Sequence, residues 1–536
     1  MFKKVLIVVV ALALVVGFAG CKPAVEETPK VEQVLTYNVG AEPQFFDPRK
    51  ATGIPEFTML LNLFDGLMRY DIQGQLVPSM AKSYDVSDDG LVWTFHLRDA
   101  KWSNGEPVTA YDFEYSWKTA LAPETESEYA YQMYYLKNGA AYNSGDITDS
   151  DLVGVKALDD KTLQATLEAP TVYFTSLLTF TTYLPINKKL DMENPDWAKS
   201  ADNFISNGPF TITKWVHNHQ IEMVKNPNYW DADKVNLDKI IFLMVEESST
   251  ELMMFENGEI DFGNNPPLPE MDRLKDEGIL TISPYLGTYY YMCNVTEPPF
   301  DNVLVRKAFA AAIDRESIVT NVTKGGQLPA TAFVPGGIPD AEPGREFREV
   351  GGTYFEPYEP DKAKQYLADA GYPNGEGFPE FVLLYNTSEG HKIIAEAIQG
   401  MWKDTLGVNC TLTNQEWKVY LDNRTKLNYQ IARAGWIGDY TDPMTFIDMW
   451  VTDGGNNDTG WSNLDYDRFV DVAKSTGDQA VRMQAMHDAE DILMDEMPII
   501  PIYYYTNLNL IKPYLKDYYI SALGYTDFKL AYIEEH

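Results

Sequence analysis

Residues 381–412 read FVLLYNTSEGHKIIAEAIQGMWKDTLGVNCTL. Phe381 to Tyr385 is an unbroken apolar run, the pattern of a strand covered on both faces. From His391 to Trp402 apolar residues recur at helical spacing, at Ile394, Ala397, Ile398 and Met401. Val408 to Leu412 predicts the next strand. A helix of this length between two strands is a crossover, so the strands pair in parallel and the class is α/β.

The same grammar extends outward in both directions. Asp301 is placed to cap a helix running to Asp314, with Val305, Ala308, Phe309, Ala312 and Ile313 on one face. Asp361 starts a helix that stops at Gly371, ahead of Pro373. A last helix spans about 480–495, and Ile499 to Tyr505 reads as a strand. The first half is richer in short strands. Val92 to Arg98 alternates and puts Trp93, Phe95 and Leu97 on one face, and Lys161 to Leu167 repeats the pattern. Asn207-Gly208-Pro209 opens a strand at Phe210, with His217-Asn218-His219 near a hairpin turn. No internal repeat is present.

The 536 residues are 45% hydrophobic, enough for two or three domains. The formal charge is −36 and no basic stripe interrupts it, which argues against a nucleic-acid partner and fits an exported, soluble protein. The chain starts Met1-Phe2-Lys3-Lys4, and the apolar run Val5 to Ala19 follows. Its 15 residues are short for a membrane span, which needs about 20. This is the pattern of a secretion signal over 1–20. Cys21, after Phe18-Ala19-Gly20, resembles the lipidated cysteine of bacterial lipoproteins, although leucine is usual where Phe18 stands. Residues 21–32, polar and with two prolines, read as a tether. Cys293 and Cys410 lie in strand-like surroundings, either as inert buried thiols or as a pair.

Catalytic patterns are missing from the sequence. There is no GxSxG, P-loop, dinucleotide fingerprint, CxxC or HExxH, and the six histidines are scattered. His217 and His219 lack a third ligand, so a solvated turn is the simpler reading. No enzyme, metal or cofactor is expected. The 34 tyrosines, 25 phenylalanines and 11 tryptophans could line a roomy pocket or fill an ordinary core.

Trp93-Thr-Phe-His-Leu-Arg98, Lys101-Trp-Ser-Asn-Gly-Glu-Pro-Val-Thr-Ala110 and Asp112-Phe-Glu-Tyr-Ser-Trp117 resemble the signature of family 5 extracellular solute-binding proteins, receptors that deliver peptides, and sometimes nickel or sugars, to ABC importers. The resemblance continues through Asn207-Gly208-Pro209, Tyr289-Tyr-Tyr-Met-Cys-Asn294, Asn414-Gln-Glu-Trp417 and Ala432-Arg-Ala-Gly-Trp-Ile-Gly-Asp-Tyr-Thr-Asp-Pro443. The last two stretches resemble the oligopeptide-binding branch. The family implies a clamp of two α/β lobes joined by a hinge, with a third domain packed on the first lobe. The first lobe would comprise 33–64, 189–286 and 507–536. The third domain would be 65–188, and the second lobe 287–506.

The resemblance also implies a site. Gly53 and Ile54 on one side, and Gly435, Trp436 and Ile437 on the other, would pair with the backbone of an extended peptide. Asp439 would hold its N-terminal ammonium, and Arg433, Arg424 and His391 would offer cations at graded distances for its carboxylate. Tyr129, Tyr290, Trp417, Trp436 and Asn386 would wall the side-chain pockets. Thr52, Met292 and Thr323 stand where the family has charged groups, and Gly287 and Ile437 where some members carry a disulfide. The partners implied are short peptides, a permease and, through Cys21, a membrane, with the receptor itself a monomer outside the cytoplasm. Alternatives are a receptor for dipeptides, a metal chelate, haem or a sugar, or a surface lipoprotein without a transport role.

Overall fold

The computed structural model describes residues 31–536. Cys21 and the signal sequence, together with all of the tether except residues 31 and 32, lie outside the described residues.

The crossover unit forms where the sequence places it. Phe381–Asn386 and Cys410–Gln415 pair in parallel, Phe381 opposite Cys410, with the helix Glu389–Leu406 between them. The second strand begins two residues later than its apolar run suggests. The buried stripe of the helix is Ile394, Ile398, Trp402 and Leu406, so Trp402 faces inward and Met401 lies at the margin. The Trp402 indole explains the shift, because its N–H donates to the Phe309 carbonyl at 3.0 Å.

Other boundaries move for capping reasons. Asn302, not Asp301, caps the helix Val303–Ala311: its side chain accepts the Leu304 N–H at 2.9 Å. The five apolar residues assigned to its face are buried, although the helix stops short of Ala312 and Ile313. The helix Pro360–Asp369 begins at its proline, one residue before Asp361, because proline lacks the N–H that a first turn leaves unused.

Strands from both ends of the chain join one 11-stranded mixed sheet. One half contains Val34–Asn38, parallel to Lys239–Leu243, with the hairpin Phe210–Val216/Gln220–Lys225 outside it. The other half contains the crossover strands and Ile431–Ile437. Two long antiparallel strands, Leu280–Cys293 and Ile499–Ile511, run through both halves. Their register slips between Pro284 and Thr288, where the ladder is interrupted.

A separate four-stranded sheet carries Val92–Leu97 and Thr162–Thr166 as neighbours, with Trp93, Phe95 and Leu97 buried. The helix Ala110–Leu121 packs on it and begins with a capping box, Asp112 accepting the Thr109 N–H at 2.9 Å. Phe300, Phe309, Phe381 and Trp402 belong to a second core cluster, separate from the main one that holds Leu35, Phe262 and Trp450.

His217 sits at the tip of the Phe210–Lys225 hairpin, 2.8 Å from Glu42. No group of three or more His, Cys, Asp and Glu suited to a metal occurs among the described residues. Cys293 and Cys410 are both free thiols, and burial pushes the Cys293 thiol up to about 12. None of the described helices is long and apolar enough to cross a membrane.

Candidate functional site

A cavity of about 730 Å³ lies between the lobes. Every described residue that the sequence nominates for the site lines it, as do Thr52, Met292 and Thr323. Proximity does not give all of them the expected role, and their individual geometry separates them.

The strand Ile431–Ile437 forms one wall. On one side it pairs with Leu280–Cys293, Trp436 opposite Thr288 and Ile437 opposite Gly287. Gly438 N–H donates to the Leu286 carbonyl at 2.8 Å. Backbone groups alternate along a strand, so those of Trp436 turn inward to the sheet while those of Gly435 and Ile437 turn to the opposite edge. On that edge Phe381–Asn386 covers only Ile431 and Ala432, and the Arg433 carbonyl accepts the Tyr420 hydroxyl. From Gly435 onward the edge is open to an added strand. Gly435 also answers a packing demand, since a Cβ there would overlap the Tyr505 hydroxyl and come within 3.1 Å of Arg433 Nη2. Gly435→Ala is expected to lower stability by about 1–3 kcal/mol and to displace Tyr505, measured by denaturant unfolding with and without ligand.

The facing side differs from expectation. Gly53 is extended, at φ −109° and ψ 155°, but Ile54 opens the helix Ile54–Leu63. Pro55 favours the helical first turn, and the Gly53 carbonyl is taken by the Phe57 N–H at 3.0 Å. Residues 53 and 54 are therefore a helix cap and not a strand.

Asp439 is buried just beyond the strand. Its Oδ2 accepts Gln132 Nε2 at 2.7 Å, and its N–H donates to Thr445 Oγ1 at 2.9 Å. It has no ion-pair partner among the described residues. Burial first, then the nearby Asp448 carboxylate, holds its pKa well above the usual carboxylate range. Asp448 itself has Lys474 at 3.3 Å. Gln132 and Thr445 fix the orientation of Asp439, and no local pattern in the sequence marks either of them.

The three basic residues sort into three states. Arg433 is half-buried and has no anionic partner among the described residues. Its guanidinium lies over the Tyr289 ring at 4.7 Å, with Nη2 donating to the Tyr505 hydroxyl at 2.7 Å and Nη1 to Asn386 Oδ1 at 3.3 Å. Arg424 is already neutralised: its Nε is 2.6 Å from Asp458 Oδ2. His391 stands 3.4 Å from the Tyr289 hydroxyl, and burial first, then Arg433, holds its pKa well below the usual imidazole range. Of the graded cations expected, one is free, one is spent and one is neutral at ordinary pH.

Aromatic rings complete the walls. Tyr129 is stacked against Trp436 at 6.3 Å, and Trp436 donates its indole N–H to the Thr445 carbonyl at 2.7 Å. Tyr290 packs edge-on to Phe333 and Trp450. Trp417 stacks on Tyr420 and lines the cavity. Thr323 is buried and donates to Gln327 Oε1 at 2.9 Å. Gly287, with no side chain, makes room for Ile437.

The family model for bacterial extracellular solute-binding proteins, family 5, matches residues 75–458. The oligopeptide-binding protein OppA of Bacillus subtilis is 40% identical over 529 residues, 97% of this chain and 96% of its own. The crystal structure of Haemophilus influenzae OppA in complex with the peptide RPPGFSPFR superposes with a TM-score of 0.88 at 33% identity, covering 94% of this chain and 99% of that one. The Escherichia coli murein tripeptide-binding protein MppA gives a TM-score of 0.87 at 34% identity, covering 94% and 99%. Its unliganded open form gives only 0.64, at 35% identity and 94% and 98% coverage. The lobes are thus arranged as in the peptide complex and not as in the open form.

Proposed function

Because the chain belongs to the bacterial extracellular solute-binding proteins of family 5, we propose that it captures short oligopeptides outside the cytoplasm and passes them to the permease of an ABC importer. The observation that carries this reading is a pair of uncompensated charges beside one open strand edge. Among the described residues, Asp439 is a buried acid without a cation, and Arg433 is a cation without an acid. A zwitterion with an extended amide backbone supplies what each lacks. Its ammonium goes to Asp439, its carboxylate to Arg433, and its backbone to Gly435 and Ile437.

Side chains of the peptide lie against Tyr129, Tyr290, Trp417 and Asn386, where water fills the space a small residue leaves. That arrangement gives broad sequence tolerance. Arg424 serves the wall through Asp458, and His391 offers a neutral hydrogen bond. The long strands Leu280–Cys293 and Ile499–Ile511 act as the hinge between the lobes, the first assembled from 33–64, 189–286 and 507–536 and the second from 287–506, with 65–188 as the third domain. Lipid on Cys21 tethers the receptor to a membrane, and binding is its whole activity, with no reaction catalysed.

The test is retention. Ligand-stripped protein is incubated with an equimolar mixture of di- to pentapeptides, washed, and the bound species are identified by mass spectrometry. Recovery of tri- to pentapeptides with varied side chains is expected. Recovery of dipeptides alone, of metal complexes or of sugars, or a thousandfold preference for one sequence, would overturn the reading.

A further inference from the structure

One carboxylate spans the cleft at its rim. The helix Ser248–Glu256 belongs to the first lobe and packs through Leu252 and Phe255 into the small core that includes Ile260 and Leu510. Glu389 is the first residue of the helix Glu389–Leu406 on the second lobe. Its Oε1 accepts the Ser249 hydroxyl at 3.0 Å, and its Oε2 accepts the Ser249 N–H at 3.2 Å and the Ser248 hydroxyl. Glu389 thus satisfies an amide that the start of the opposite helix leaves unpaired, at the end where a negative charge is favoured. The serine hydroxyls, Ser248 first, hold its carboxyl below the usual range. The exposed Glu247 beside them carries a like charge that this contact works against.

The same turn reaches the cavity. Ser388 accepts the His391 N–H at 3.4 Å, and Thr387, Ser388, Gly390 and His391 all line the cavity. One short segment therefore forms ligand wall on one side and the bridge to the other lobe on its next residue. A second cross-cleft pair, Lys324 with Asp272, joins a part-exposed lysine to a largely solvated carboxylate and adds little.

We propose that Glu389 is a positioning residue for ligand retention, a latch that forms only when the lobes close and that sets how slowly the ligand leaves. It touches no ligand itself. It holds the His391 turn against the first lobe while the cavity is filled. The proposal rests on the peptide-receptor reading.

The test uses full-length receptor and the peptide most strongly retained from the di- to pentapeptide mixture. Dissociation is followed by stopped flow for wild type, Glu389→Ala, Glu389→Gln and the double variant Ser248→Ala/Ser249→Ala. Glu389→Ala is expected to speed dissociation about tenfold, with association unchanged within about twofold. Glu389→Gln, which keeps one acceptor oxygen, falls between. The serine variant, which keeps the Ser249 N–H, speeds dissociation but by less than Glu389→Ala, and combining them adds nothing beyond Glu389→Ala. The melting temperature of ligand-free protein stays at the wild-type value, because the open form lacks the contact. Unchanged dissociation, or a ligand-free melting temperature lowered as much as the liganded one, would overturn the latch. Wild-type protein that retained no peptide would overturn the receptor reading before it reached the latch.

Discussion

Asp439→Asn should weaken binding of peptides with a free N-terminus by about 2–5 kcal/mol, tens- to thousands-fold in Kd, while N-acetylated peptides bind the variant and the wild type alike. The size follows from desolvation. An ammonium enclosed beside Gln132, Thr445 and Tyr129 loses its water, and only the Asp439 charge replaces it. A neutral amide offers one acceptor and no charge. Titration calorimetry on matched free and acetylated peptides reads the effect, and equal affinity of wild type and variant for the free peptide would refute the assignment.

The same residue predicts a pH dependence. With the lobes closed and no ligand between them, the Asp439 pKa is raised, by burial and then by Asp448. A bound ammonium favours the ionised form and lowers it. A group whose pKa is lower in the complex contributes affinity that is full above its free-state value and is lost progressively as pH falls from that value through the value in the complex. Peptide affinity should therefore fall on acidification. In Asp439→Asn this part of the profile should be flat.

Arg433→Met should weaken binding of peptides that carry a free carboxylate, again by about 2–5 kcal/mol, and leave C-terminally amidated peptides nearly unaffected. The variant should fold normally. Arg433 has no anion to strand among the described residues, and its neutral partners Tyr505 and Asn386 reach the cavity, where water can replace it. Arg424→Met should behave in the opposite way. Asp458 would be left buried without its cation, so a loss of about 3 kcal/mol in unfolding free energy is expected before any effect specific to the carboxylate. Two arginines nine positions apart, lining one cavity, are thus separated by what else each one touches. A matrix of the two variants against free and amidated peptides, with denaturant melts alongside, distinguishes ligand cation from structural cation. If Arg424→Met abolished the carboxylate preference and Arg433→Met did not, the roles would be reversed.

Periodicity and composition determined the architecture in local terms. The crossover unit at 381–412, the alternating strands at Val92 and Thr162 and the buried face of the helix after Asn302 follow from side-chain spacing, because burial on one face is a local demand repeated along the chain. The family resemblance carried by the stretch Ala432 to Pro443 nominated Asp439 and the strand Gly435 to Ile437, where the residues alone read Asp439 as a loop carboxylate. Three things were decided only in three dimensions. Ile54 became helical because Pro55 and the Gly53 carbonyl make a better helix start than a strand end. Arg424 was taken out of the cation set by Asp458, and His391 by burial next to Arg433. Asp439 acquired its support from Gln132, 307 positions away, and Glu389 its serines from the start of the helix Ser248–Glu256, 140 and 141 positions away. The sequence determines which groups a residue can offer. Whether a charge is free depends on desolvation and on neighbours that folding brings from elsewhere in the chain, and these have no signature in the residue's own surroundings.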